Sequence, residues 1–261
     1  MATRTPGYID GRRFRVGNVP TWGPVPDVLI PGTMEAYGIF EDFLSCETLA
    51  ADGTTVTGEG VWQFKEQNDC TIAQGDEAGG VMTLVNGALL NDGGQIIMGM
   101  DPAVHVSRGA FFLAAGKHLW FEARLKSTNA GTNNIGIFAG LVEPEDTDIL
   151  ANGAGAIAIH DHLGFSIRGT QTTYRFNGGK AAVPDENDLS INLDTSYHRF
   201  GFYVNGVTSV AVYLDRTLIG AGEVLTASIP VVGLVPILAI KNNAAFAETL
   251  TVDYIMCVQL R

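Results

Sequence analysis

The side chains that could do chemistry in this chain are few. His160-Asp161-His162 sets two imidazoles on one side of an extended segment with an acid between them. A transition metal could use that pair, but no third ligand is identifiable, and a strand end beside a loop accounts for it equally well. Glu143, Glu145, Asp146 and Asp148 crowd around Pro144. Such a loop could converge oxygens on calcium, or could simply keep the surface charged. It lacks the ligand spacing of a calcium-binding loop, so no metal site is expected. A retaining glycosidase needs two carboxylates about 5–5.5 Å apart, which a strand supplies with acids two residues apart. The four loop acids come nearest to that, and the adjacent Glu41 and Asp42 would face opposite ways.

Other catalytic signatures fail on context. GFSIRG (164–169) approaches a nucleophile elbow, but its second glycine is one residue late and no strand–turn–helix surrounds Ser166. GAGAIA (153–158) mimics a dinucleotide fingerprint without the βαβ unit that gives it meaning. HExxH and Walker A sequences are absent. Asp69 beside Cys70 predicts a raised thiol pKa, the wrong direction for a nucleophile. The expectation is a protein that is not an enzyme and has no cofactor.

Binding chemistry is better represented. Trp120, Tyr174 and Tyr197, with Asn133, Asn134 and Asn177, are the residue types that stack on and surround a sugar ring. The plainer reading makes the aromatics core residues. Trp120 breaks the parity of Leu119 and Phe121, so it faces away from that set, onto an outer face or a second contact. The N-terminal segment offers different chemistry. Arg4, Arg12, Arg13 and Arg15 oppose only Asp10 up to residue 26, leaving the segment at +3 and the remainder at −15. Five of the ten prolines fall by Pro31, which favours extended backbone, while Tyr8, Phe14, Val16, Trp22 and Val25 give it apolar anchors. Residues 1–36 therefore read as an arm that wraps its own domain or docks on a neighbour.

Formal net charge is −12, which argues against nucleic acid or an anionic membrane as partner. Three widely spaced cysteines suggest a reducing compartment during folding. The start, MATRTPGYIDGRRFRV, has no apolar core like that of a secretory signal, and IPVVGLVPILAI (229–240) is too short to span a bilayer.

The elements that must position these groups read as strands. In HRFGFYVNGVTSVAVYLD (198–215), Phe200, Phe202 and Val204 share one parity, and so do Val210, Val212 and Leu214. With Asn205-Gly206 between them, the two runs predict a hairpin whose loop is Asn205 to Ser209. Further strand patterns cover 38–44, 61–66, 79–100, 118–127, 135–143, 164–169, 172–179, 234–243 and 248–261. In the last of these, Leu250, Val252, Tyr254, Met256 and Val258 keep one parity. Residues 149–160 could hold one helical turn. At least ten strands without βα alternation predict an all-β fold: an antiparallel two-sheet β-sandwich of Greek-key or jelly-roll wiring over residues 37–261.

The series HLWFEARLKS, IGIFAGLVE, SYHRFGFYVNGVTSVAVYLDRTLIG and LTVDYIMCVQLR resembles the concanavalin A-like lectin/glucanase sandwich in its laminin G-like form. A narrower resemblance rests on Glu41-Asp42-Phe43-Leu44, Trp62, Gly79-Gly80-Val81, Asn91-Asp92-Gly93 and the extended arm; it is to structural proteins of tailed bacteriophages that share this fold. Three features depart from the broader family. Arg216 stands where a glycine is usual, the legume-lectin metal loop is not recognisable, and the paired glutamates of the glucanase branch are missing. The resemblance implies a non-enzymatic virion structural protein, a capsid decoration or cement protein made in the host cytoplasm and resident on the capsid surface. Its partners would be the major capsid protein and copies of itself, often as a homotrimer. Arg4, Arg12, Arg13, Phe14, Arg15 and Trp22 would grip the capsid. The alternative is a carbohydrate-binding, lectin-like module in which Trp120, Asn133, Asn134 and Tyr174 meet surface glycans.

Overall fold

The computed structural model describes residues 36–43, 49–50, 56–57, 62–75, 77, 80–99, 110–128, 135–144, 148–152, 157–158, 160–181 and 183–261. Arg4, Arg12, Arg13, Phe14, Arg15, Trp22, Asn133 and Asn134 lie outside them. The described residues form eighteen strands: β1 (Ala36–Glu41), β2 (Leu49–Ala50), β3 (Val56–Thr57), β4 (Trp62–Gln67), β5 (Cys70–Gln74), β6 (Met82–Asn86), β7 (Gly93–Met98), β8 (Phe111–Phe112), β9 (Leu119–Ser127), β10 (Ile135–Val142), β11 (His162–Ile167), β12 (Thr173–Lys180), β13 (Val183–Asn192), β14 (His198–Asn205), β15 (Ser209–Leu214), β16 (Thr217–Leu225), β17 (Gly233–Asn242) and β18 (Thr249–Leu260). They make two antiparallel sheets. The first runs β16-β15-β14-β9-β18-β6-β5-β2, with β1 also on β18; the second runs β13-β12-β11-β10-β17-β7-β4-β3, with β8 on β17. The fold is the predicted all-β two-sheet sandwich.

The sheets adhere through the alternating residues read from the sequence. Leu119, Phe121, Ala123 and Leu125 of β9 and Phe200, Phe202 and Val204 of β14 enter one core with Phe165 and Phe176 of the second sheet. Phe202 stacks on Phe121 at 4.8 Å and meets Phe176 at 5.3 Å across the layers. The hairpin is tighter than predicted. Asn205 and Ser209 pair as strand residues, so the loop is three residues, Gly206 to Thr208, with Gly206 at φ 61°. Between β10 and β11, Gly140 faces Gly164, and a methyl on Gly140 would lie 2.2 Å from the Leu163 carbonyl oxygen. Glycine is what lets these two backbones approach so closely.

Six strands fall outside the sequence reading: the two-residue β2, β3 and β8, and the longer β5, β13 and β16. β5 and β16 carry patterns too short or too glycine-rich to stand out. β13 is a polar edge strand, with Pro184, Asp185, Glu186 and Asp188 in its run. Pro and charge are the devices that keep a sheet edge from pairing with another chain, and they also make the segment read as a loop. The described part of 149–160 forms no helical turn. Leu150 bridges Ile157, and the Ala158 amide donates to the Ile149 carbonyl, so the segment doubles back over the second sheet.

That segment is fixed by a buried lysine. Lys241 of β17 is 1% exposed. Its Nζ donates to the Leu150 carbonyl at 2.7 Å, with Asp148 Oδ2 4.0 Å away. Asp148 also pairs with Lys65 at 3.4 Å. A pocket lined by Gln67, Gln95, Asp148, Leu150 and Lys241 admits about one water. Desolvation pulls Lys241 from 10.5 down to about 8, with Asp148 opposing the shift. Between those two values the unfolded chain holds a proton that the folded chain has released, so stability rises with pH there, by up to about 1.4 kcal/mol per pH unit. Below pH 8 both states are protonated and this contribution is flat. Urea midpoints at pH 7 to 10 should show that rise in the wild type relative to Lys241→Met; parallel profiles would contradict it.

Candidate interaction face

The outer face of the first sheet gathers groups that the sequence scatters over four strands. On β9 the even residues Trp120, Glu122, Arg124 and Lys126 point away from the core, as the broken parity predicts. They meet Tyr203, Gly201 and Arg199 of β14, since Trp120 pairs with Tyr203, Glu122 with Gly201 and Arg124 with Arg199. β18 completes the face by an irregularity. Its register with β9 shifts between Val252 and Tyr254, leaving Asp253 as an inserted residue. Leu250 and Val252 stay in the core, whereas Tyr254, Met256 and Val258 turn outward and Ile255 and Cys257 take their place inside. The single parity expected for the last strand is therefore corrected: a β-bulge flips its second half.

One half of the face is apolar. Trp120, Ala36, Met256 and Val258 form a cluster of their own, with Phe40, Tyr203, Tyr213 and Leu260 packed against it. Trp120 is only 2% exposed, lies 5.2 Å from the Tyr203 ring, and its indole N–H has no hydrogen-bond partner among the described residues. Tyr203 Oη meets His118 Nδ1 at 2.6 Å.

The other half is polar. Tyr254 donates to the buried Glu122, and burial followed by Glu122 pushes the phenol up. Arg124 pairs with Asp253 and lies 4.1 Å above the Tyr197 ring, beside Lys126 at 4.3 Å. Lys126 and Tyr197 both donate to Glu77, at 2.7 and 2.8 Å; the Lys126 bond is the main reason the Glu77 carboxyl sits low. At the β15–β16 turn, Asp215 accepts from the Arg199 amide at 2.9 Å and contacts His198 Nδ1 at 2.7 Å, while Asp194 holds the other ring nitrogen at 3.1 Å. Desolvation lowers His198, but the two carboxylates outweigh it and hold the imidazole above its ordinary value. Arg216 follows in the same turn, its charge opposed by desolvation and by Arg199.

The structure does not assemble the predicted sugar-stacking set. Tyr174 lies between the sheets, 4.6 Å from Phe200, with burial pushing its phenol up. Asn177 donates to Ser166 Oγ at 2.7 Å on strands of the second sheet. Neither shares a face with Trp120, and the Tyr197 ring is engaged by Arg124 and Lys126. The acidic loop is partly engaged too: Asp148 belongs to the lysine pairs, and Glu145 and Asp146 lie outside the described residues. His162 Nδ1 donates to the His160 carbonyl at 2.7 Å, burial lowers its pKa, and Asp161 accepts from the Ala181 amide. No metal-binding group of three His, Cys, Asp or Glu occurs among the described residues. The sequence reading missed Glu122, Arg199 and Arg216. The only sign of them was Arg216 in a glycine's place.

Together these features define an antiparallel two-sheet β-sandwich of concanavalin A-like fold with an elaborated outer face. No family model and no curated protein matches the sequence. Solved structures share the fold at low identity. The carbohydrate recognition domain of Emp47p matches with a TM-score of 0.51 at 14% identity, over 80% of this chain and 93% of its own. A protein of unknown function from Shewanella oneidensis MR-1 matches at 0.50 and 15%, over 87% and 88%. A Bacteroides ovatus GH16 protein, solved with a glucan product, matches at 0.51 and 11%, over 83% and 98%. At these identities the likeness is one of fold alone.

Proposed function

We propose that the protein is a non-enzymatic adhesion protein of a virion, a capsid decoration or cement protein that binds the capsid lattice through its arm and the outer face of its first sheet. The observation that carries this reading is the composition of that face. Tyr and Arg, among the residue types that dominate binding energy at protein interfaces, are concentrated there: Tyr203, Tyr213, Arg124, Arg199 and Arg216 are partly exposed around the buried Trp120. The resemblance to tailed-phage structural proteins supports the virion setting. A closed homo-oligomer, such as a trimer, would multiply weak lattice contacts through effective concentration.

A glycan-binding module is the second reading. It is favoured by Tyr203 and Tyr213, half-buried rings beside polar groups, and by the carbohydrate-recognition domain among the fold neighbours. Cosedimentation of the full-length chain with shells of the encoding virus's major capsid protein, run beside a glycan array, separates the two. Wild type should saturate the shells, and the double variant Arg12→Glu, Arg13→Glu should bind at least about tenfold more weakly with an unchanged melting temperature. Undiminished attachment by that variant would remove the arm from the mechanism. Glycan capture without shell binding would install the second reading instead.

A further inference from the structure

Arg199 and Arg216 stand apart from the other arginines of the sandwich. Arg124, Arg168 and Arg175 each have an acidic partner, in Asp253, Glu186 and Asp188. Among the described residues, neither Arg199 nor Arg216 has a carboxylate within ion-pair distance. Arg168, Arg175, Arg199 and Arg216 each leave a buried Nε–H without an acceptor among the described residues, and Arg216 adds a second such donor, Nη2. Both guanidiniums interact with Tyr254, whose own proton is given to Glu122, and the Glu122 charge favours protonated Arg216. Buried donors without acceptors are costly, and Arg216 carries two of them.

The backbone gives a second, independent indication. Asp215 and Arg216 sit at φ 47° and 70°, a two-residue hairpin turn with both residues left-handed. Aspartate tolerates that conformation; arginine there is strained, and glycine would not be. Two hydrogen bonds between Asp215 and Arg199, through the Asp215 carboxylate and the Asp215 amide, nevertheless latch the turn beside Arg199. Strained residues held by their surroundings cluster where a ligand is bound.

We infer that Arg199 and Arg216 form a receptor for a side-chain carboxylate of a protein partner, an Asp or Glu on a segment that lies across the outer face of the first sheet. This deepens the adhesion reading by naming what the partner must bring. Guanidinium forks match a carboxylate in two-point geometry. Leu218, 44% exposed and paired with Tyr213, offers an apolar seat for the residue next to that acid. A sugar is less well suited, because the nearby hydroxyls of Tyr203 and Tyr254 are already committed to His118 and Glu122.

The test uses the full-length chain and the blocked peptide acetyl-Leu-Glu-Glu-Leu-amide, its Gln-Gln counterpart, and free glucuronate, read at the arginine Nε–H resonances. The Glu peptide should shift Arg199 and Arg216. The Gln peptide should bind about tenfold more weakly or worse. Arg216→Gly should lose the same factor while melting higher than wild type, since it relieves the strained turn; Arg216→Gln should lose binding at unchanged backbone strain. Equal binding of the Gln peptide, tighter binding of glucuronate, or full affinity in both variants would each overturn the receptor. Shell attachment measured on Arg216→Gly separates the levels. If shells bind but the Glu peptide shifts nothing, the receptor is wrong and the adhesion reading stands. If wild type binds no shells, the adhesion reading itself fails.

Discussion

Replacing Phe202 by alanine is expected to remove about 3–5 kcal/mol of folding free energy. The ring is fully buried and touches both layers: Phe121 at 4.8 Å within its sheet, Phe165 and Phe176 at 6.2 and 5.3 Å across the sandwich. Truncation loses the transfer free energy of the ring and leaves a void that neighbours on two sheets must both move to fill. Interiors packed to crystal density close such voids poorly. Phe246, 56% exposed in a turn, is the control, and its alanine variant should stay within about 0.5 kcal/mol of wild type. Urea denaturation followed by circular dichroism measures both. A loss below about 1 kcal/mol at Phe202 would mean that the two sheets do not adhere through this aromatic contact.

Trp120→Ala should cost a comparable amount, about 3–5 kcal/mol, although its side chain lies outside the space between the sheets. The indole packs with Ala36 of β1 and with Met256 and Val258 of β18, so its loss also loosens the pairing of β1 with the second half of β18. Trp120→Phe keeps much of the apolar area, removes an N–H that has no partner among the described residues, and should recover most of the loss. Thermal melts of the two variants decide the matter. If Trp120→Ala melts with wild type, the outer cluster contributes nothing to the fold, and Trp120 is solely a binding residue.

Much of this architecture was legible in residue alternation. The β9 and β14 runs carry apolar residues on one side and mixed residues on the other, so their inward faces and the outward turn of Trp120 follow from parity. The polar edge β13 hid itself, because an edge strand has little need for a continuous apolar side and good reason to carry charge. The bulge at Asp253 was hidden for the opposite reason. After Asp253 the run to Val258 is apolar on every residue, so either parity could face the core and nothing beyond the aspartate marks where the inward set changes over. The Arg199–Arg216 pairing depends on a strained turn and on Tyr254 facing outward. Both are products of register, which composition does not contain.

The inserted Asp253 makes the last strand a two-phase element, read in one frame against β6 and in the other against β1. A lineage that lost this one codon would set Tyr254 directly after Val252 and keep both halves facing as they do now, with the bulge gone and the ladder against β9 regular. A residue gained or lost within either half would instead shift that half by one position and turn its core side chains to the surface.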